Sequence, residues 1–213
     1  MLQHVHDRAA AARCLSRLVI ATDDERIFAE ARSFGAEARM TRADHASGTD
    51  RVAEAAAAEE ADLVVNIQGD EPLIDPAAID AAVEGLLARP EVPMGTLKKR
   101  IENPQELGDP NVVKVVAGLD GNALYFSRSL IPYVRSGTTA HFKHIGLYVY
   151  RRGFLLGYSR LPVGPLERAE RLEQLRALEN GHKIHVVETG YDSVGVDTPE
   201  DLERVSRLLE ARE

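Results

Sequence analysis

The sequence predicts an α/β domain on a largely parallel sheet, and two observations carry that prediction. Short β-branched runs alternate with alanine-rich amphipathic stretches, the rhythm of βα units, and 213 residues at 44% hydrophobic suffice for one substantial core. A single domain over residues 1–213 is therefore expected.

Taken in order, residues 2–13 read as a helix and 18–21 as a strand. Thr22 is placed to cap the next helix, with Asp23, Asp24 and Glu25 at its positive end, and Gly35 to stop it. A strand over 36–40 leads into the polar loop RADHASGTD, a helix over 51–60 and a continuously apolar strand over 63–67, expected to be central. Pro76 opens a helix to Ala88. The middle reads as longer, antiparallel strands over 94–99, 112–117 and 123–127, the last two joined by a turn at Asp120-Gly121-Asn122, with another strand over 144–150. A helix over 165–179 would carry Leu166, Ala169, Leu172 and Leu175 on one side. A strand over 183–187 and a helix opened by Thr198 and Pro199 complete the chain.

Composition excludes several classes. A net charge of −8 argues against a nucleic-acid surface, which needs a basic face. Cys14 alone permits no internal disulfide and no cysteine-based zinc site, which fits a reducing cytoplasm. No run of about eighteen apolar residues and no apolar signal core appears, so no membrane partner is expected.

Asp70 follows a predicted strand at its carboxyl end, where open α/β sheets bind ligands, with Gln68, Gly69 and Glu71 around it. A carboxylate there can hold Mg²⁺ against phosphate oxygens, or be an ordinary turn residue. Asp197 is not needed as a cap beside Thr198-Pro199, and pairing it with Asp70 makes a metal role more plausible for both. The loop His45 to Arg51, with Ser47, Gly48, Thr49 and Arg51, suits a base and ribose near a helix start, although Asp50 could equally be an N-cap. Arg128, His144, Tyr148, Glu173 and Gln174 are polar groups in apolar elements that could converge on a polyhydroxy acid; Arg128 offers a fork for a carboxylate. His141 and His144 lack a third ligand at metal spacing. Lys98, Lys99 and Arg100 read as a solvated strand end, and Lys114 is an unpatterned lysine in a strand.

The ordered set HASGTDR, VNIQGDEP, NVVKVV, ALYFSR, KHIGLYVYR, LEQLRALENG and GVDTPEDLE, over residues 45–203, resembles the CMP-Kdo synthetases (3-deoxy-manno-octulosonate cytidylyltransferases). The resemblance implies a Rossmann-like nucleotidyltransferase (glycosyltransferase-A-like) sheet with a smaller antiparallel β region. It also implies transfer of a cytidylyl group from CTP to Kdo, for lipopolysaccharide synthesis in the cytoplasm. By the same resemblance Asp70 and Asp197 hold Mg²⁺, Ser47, Gly48, Thr49, Arg51 and Gln68 bind the nucleotide, and Arg128, His144, Tyr148, Glu173 and Gln174 bind Kdo. A homodimer through the middle β region is implied too. Family members begin with a strand and a Gly-rich, Arg- and Lys-bearing loop ahead of the helix that here starts at Met1. The first strand of the sheet is accordingly expected to be missing, with weak or no catalysis and unpaired strand edges as the consequence. The competing expectations are a cytidylyltransferase for an 8-amino Kdo analogue or a sialic acid, and a non-catalytic nucleotide-binding or dimerising protein.

Overall fold

A computed structural model describes residues 1–196 and 198–210. Strand and helix alternate through α1 (Leu2–Ala10), β1 (Ile20–Thr22), α2 (Glu25–Ser33), β2 (Ala38–Met40), α3 (Gly48–Ala57), β3 (Leu63–Asn66) and α4 (Pro76–Leu87). Thr22 is not the cap of α2, because it still belongs to β1, where it pairs with Met40. Asp24 takes that place by accepting the Arg26 N–H, while the Thr22 hydroxyl accepts the Asp24 N–H. Gly35 ends α2 as predicted, at φ +82, letting the Ala36 N–H return to the Ala31 carbonyl at 3.0 Å. Helix α3 starts three residues before the expected Arg51, since Ser47 caps it and Asp50 lies inside its first turn.

The chain continues through β4 (Met94–Arg100), α5 (Gln105–Gly108), β5 (Lys114–Ala117), β6 (Ala123–Ser127), β7 (Phe142–Arg151), α6 (Arg152–Tyr158), α7 (Pro165–Glu170), α8 (Leu175–Glu179), β8 (Ile184–Glu188) and α9 (Pro199–Glu210). The predicted helix over 165–179 is two helices. Arg171, at φ 52, turns the chain into the left-handed region after α7, so Leu166 and Ala169 stay exposed while Leu172 and Leu175 are buried. No glycine or proline marks this break in the sequence.

Six strands form one sheet in the order β6-β5-β7-β4-β8, with β3 also paired to β7. Among the described residues only β4–β8 here, and β1–β2 as a separate two-stranded sheet, pair in parallel. The largely parallel sheet expected from the sequence is corrected in this respect. Strands β3 and β4, joined through α4, run the same way, but β7 is inserted between them and is antiparallel to both. Strand β3 makes its named pairing with β7 alone.

Along β7 the pleat sorts side chains. Ile145, Leu147 and Val149 join the core of α1 and α4 with Val5, Ala9, Ile79, Val83 and Leu86. Tyr150 joins the core on the other face with Phe126, Leu155, Tyr158 and Leu175. At the strand's end Arg151 donates to the carbonyls of Leu86, Arg89 and Val92 behind α4, and Arg152 to those of Ala56 and Ala57 ending α3. Two adjacent arginines thus gather the carboxyl ends of helices on opposite faces.

Helix α1 is moored to α4 through Asp80, whose carboxylate accepts the Cys14 N–H at 2.9 Å and the Arg13 Nε–H at 3.1 Å. Hydrogen bonds from Cys14, then the Arg13 guanidinium, hold the Asp80 carboxyl down to about 2 from 3.8. A carboxyl depressed by folding contributes stability above its unfolded value and loses it as pH falls through the folded one. Asp80→Asn is therefore expected to lower the melting temperature at pH 7. The gap to the unsubstituted protein should close as pH falls from about 4 to about 2; a pH-independent gap would contradict this.

Candidate functional site

The polar loop before α3 meets the break between α7 and α8. Ser47 Oγ lies 2.9 Å from Glu173 Oε1 and 3.1 Å from Asp50 Oδ2, and the Thr49 hydroxyl donates to Glu173 Oε2 at 3.0 Å. Ser47 has one proton, and the shorter contact assigns it to Glu173. Burial raises the Glu173 carboxyl above the usual range, the two hydroxyls pull it back, and Asp50 adds like-charge repulsion. Asp50 Oδ1 is buried without a hydrogen-bond partner among the described residues. The Glu173 carbonyl accepts the Tyr158 hydroxyl at 2.8 Å, and Gln174 beside it is buried, with no side-chain hydrogen bond among the described residues. Ser47, Glu173, Arg168, Arg171 and Arg176 line a cleft of about 380 Å³.

The face of β7 that carries Tyr150 also carries His144 and Tyr148, whose rings stand 5.3 Å apart. Tyr148 pairs in register with Asn66, which brings the strand before Gln68-Gly69-Asp70 alongside. The His144 ring packs edge-on to Phe126 at 5.0 Å, and its Nε2 lies 2.9 Å from the Thr96 hydroxyl. Burial pushes the His144 imidazole down to about 3, so it is neutral at pH 7. Burial likewise raises the Tyr148 hydroxyl, which stays protonated.

Asp70 is half-buried beyond β3, after an exposed Gln68 and Gly69, and its carboxylate makes no hydrogen bond or ion pair among the described residues. Its carbonyl accepts the Val196 N–H at 3.0 Å, which ties the segment preceding Asp197 to this loop. Asp197 itself lies outside the described residues. Glu71 turns inward, accepting the Tyr191 hydroxyl at 3.1 Å, and burial raises its carboxyl.

Two predicted ligand-binding arginines are engaged by protein groups. The Arg51 guanidinium donates to Thr41 Oγ1 at 2.6 Å and pairs with Asp23 at 2.9 Å. Arg128 donates to the carbonyls of Glu170 at 2.7 Å and Pro110 at 2.9 Å, holding the end of α7. Gly48 is exposed at the first position of α3. Glu173 and Gln174, expected on a helix, instead occupy the break before α8, because Arg171 has already ended α7.

Sequence reasoning missed Thr96, Glu170 and Arg176. Glu170 accepts the Ser127 hydroxyl at 2.6 Å and the Arg128 N–H at 2.9 Å. Arg176 grips buried Glu167 with two bonds, at 2.9 and 2.6 Å. The one available signal was a Glu nine residues before an Arg among apolar positions. Lys114 is fully buried, and its ammonium donates to the carbonyls of Asp109 and Arg128. Removing the Arg176 guanidinium strands a buried carboxylate. Arg176→Ala is expected to cost about 3–5 kcal/mol in chemical denaturation, and a loss under about 1 kcal/mol would mean the pair behaves as a solvated one.

A family pattern described as cytidylyltransferase matches residues 1–184. A 3-deoxy-manno-octulosonate cytidylyltransferase of Solibacter usitatus is 70% identical over 213 residues, covering 99% of this chain and 84% of that protein. One of Syntrophotalea carbinolica is 57% identical, covering 98% and 88%. A solved CMP:2-keto-3-deoxy-manno-octonic acid synthetase complexed with CTP superposes with a TM-score of 0.95 at 42% identity, covering 100% of this chain and 88% of that one. A 4-diphosphocytidyl-2C-methyl-D-erythritol synthase of Anaerococcus prevotii shares the fold alone, at TM-score 0.62 and 13% identity. These matches run along 98% or more of this chain and along 84% and 88% of the relatives' own lengths.

Proposed function

The chain belongs to the cytidylyltransferase family, and on that premise we propose that it transfers a cytidylyl group from CTP to Kdo, giving CMP-Kdo and pyrophosphate for lipopolysaccharide synthesis. The observation that carries this reading is the pair of bonds from Ser47 and Thr49 to Glu173, which seats the nucleotide-side loop against the sugar-acid segment. In this reading Ser47, Gly48, Thr49, Arg51 and Gln68 receive the nucleotide. Arg128, His144, Tyr148, Glu173 and Gln174 form the sugar-acid side, where neutral His144 and protonated Tyr148 meet sugar hydroxyls without adding charge.

The sugar's anomeric hydroxyl attacks the α-phosphorus and pyrophosphate leaves in line, so the residues need only align the partners and exclude water. Asp70 fits a hard divalent cation, being a carboxylate without a competing protein partner at a strand's carboxyl end. Mg²⁺ commonly takes one or two protein carboxylates and its remaining ligands from phosphate and water. Mg²⁺ bound by Asp70 and Asp197 would supply neutralisation of charge on the phosphates. The fold places no helix long and apolar enough to cross a membrane among the described residues, and the reading puts the enzyme in the cytoplasm.

A second copy is the expected partner. Leu119, Leu124 and Tyr133 are 112%, 67% and 88% exposed on the turn, strand and loop around β6, and exposed apolar side chains of this kind suit a homodimer contact. Leu124→Asp should shift sedimentation from dimer towards monomer; an unchanged dimer would place the interface elsewhere.

The reaction itself is tested by Mg²⁺-dependent pyrophosphate release from CTP with Kdo, an 8-amino Kdo analogue and a sialic acid in parallel. The expected result is turnover with Kdo above the other two, and a loss of about 100-fold or more in kcat in Asp70→Asn. CTP binding without pyrophosphate release from any of the three acids would favour a non-catalytic nucleotide-binding protein.

A further inference from the structure

Strand β7 is irregular beside the candidate site. Thr96 of β4 pairs with Tyr148, yet the next residue, Leu97, pairs with Ile145, so Gly146 and Leu147 are extra on β7. Thr96 faces this bulge and is fully buried. Three polar atoms surround its hydroxyl oxygen: the Leu147 carbonyl at 2.8 Å, the Ile145 carbonyl at 3.1 Å and His144 Nε2 at 2.9 Å.

A hydroxyl has one proton and two lone pairs, whereas a carbonyl oxygen can only accept. The threonine proton therefore goes to the carbonyls, chiefly that of Leu147. The imidazole is the one neighbour able to donate to the threonine oxygen. Were the assignment reversed, both carbonyl oxygens would face the lone pairs of Oγ1 at contact distance, with no proton between them, in a site closed to water. His144 Nδ1 makes no hydrogen bond among the described residues.

We infer that Thr96 is a positioning residue that fixes His144 as the Nε2–H tautomer and so presents a bare Nδ1 as a hydrogen-bond acceptor to a hydroxyl of the sugar acid. This rests on the placement of His144 in the sugar-acid site. The burial that keeps the ring neutral supports a single tautomer, because no second proton occupies Nδ1 at pH 7. The bulge matters as much as the hydroxyl, since it turns two carbonyls of β7 towards one threonine and thereby spends its proton.

The test combines histidine ¹⁵N spectroscopy of the protein with Kdo kinetics. The native spectrum is expected to show His144 with Nδ1 as the unprotonated nitrogen. Thr96→Val, close in shape but without the hydroxyl, should lose that single tautomer and raise the KM for Kdo about ten-fold, leaving the KM for CTP unchanged. Thr96→Ser should restore both. A native spectrum with Nε2 unprotonated overturns the inference even if Thr96→Val does not fold, as does an unchanged Kdo KM in a folded Thr96→Val. If His144→Ala binds Kdo as the native protein does, the placement of His144 in the site fails, while the spectrum decides the tautomer independently.

Discussion

Strand β7 is the member on which the remaining structure depends, because it is hydrogen-bonded along both edges. Strand β4 runs beside nearly all of it, while β3 and β5 share the other edge. Alternate residues serve different purposes: Ile145, Leu147 and Val149 fill one core, while His144, Tyr148 and Tyr150 face the other side. A register slip of one residue would exchange core for site, so both depend on the same pairing. The same strand aligns Tyr148 with Asn66, and through it the turn that bears Asp70.

Charge in this acidic protein is managed by local partners. Three cations around the site answer backbone carbonyls and carboxylates: Lys114 serves Asp109 and Arg128, Arg128 serves Glu170 and Pro110, and Arg176 serves Glu167. Glu173 is answered by hydroxyls from a loop distant in sequence. A half-buried carboxylate held by two neutral donors, with the Arg176 guanidinium 4.0 Å away, can exchange those donors for others at modest cost.

Elements whose signals lie within a few residues were legible in the sequence. Gly35 ended α2, Gly121 made its turn at φ +77, and β6 occupies the expected residues 123–127. Contacts settled by distant partners were not. Thr22 looks like a cap until β1 claims it, and nothing around Arg171 announces a left-handed residue. The order of β3, β7 and β4 depends on an inserted antiparallel strand, which βα rhythm cannot express. Of the candidate site residues, Asp70, His144 and Tyr148 lie on or beside the elements expected, whereas Glu173 falls in the break before α8. Thr96 was invisible, because its importance comes from a bulge in a strand 49 residues away.

Arg151 and Arg152 close β7 by collecting the carboxyl ends of α4 and α3 from opposite faces. In mechanical terms they act as a two-sided rivet. Fraying β7 from this end takes both sets of bonds away together. Any adjustment to a ligand is thereby left to parts outside the riveted frame, the loop before α3 and the α7–α8 break.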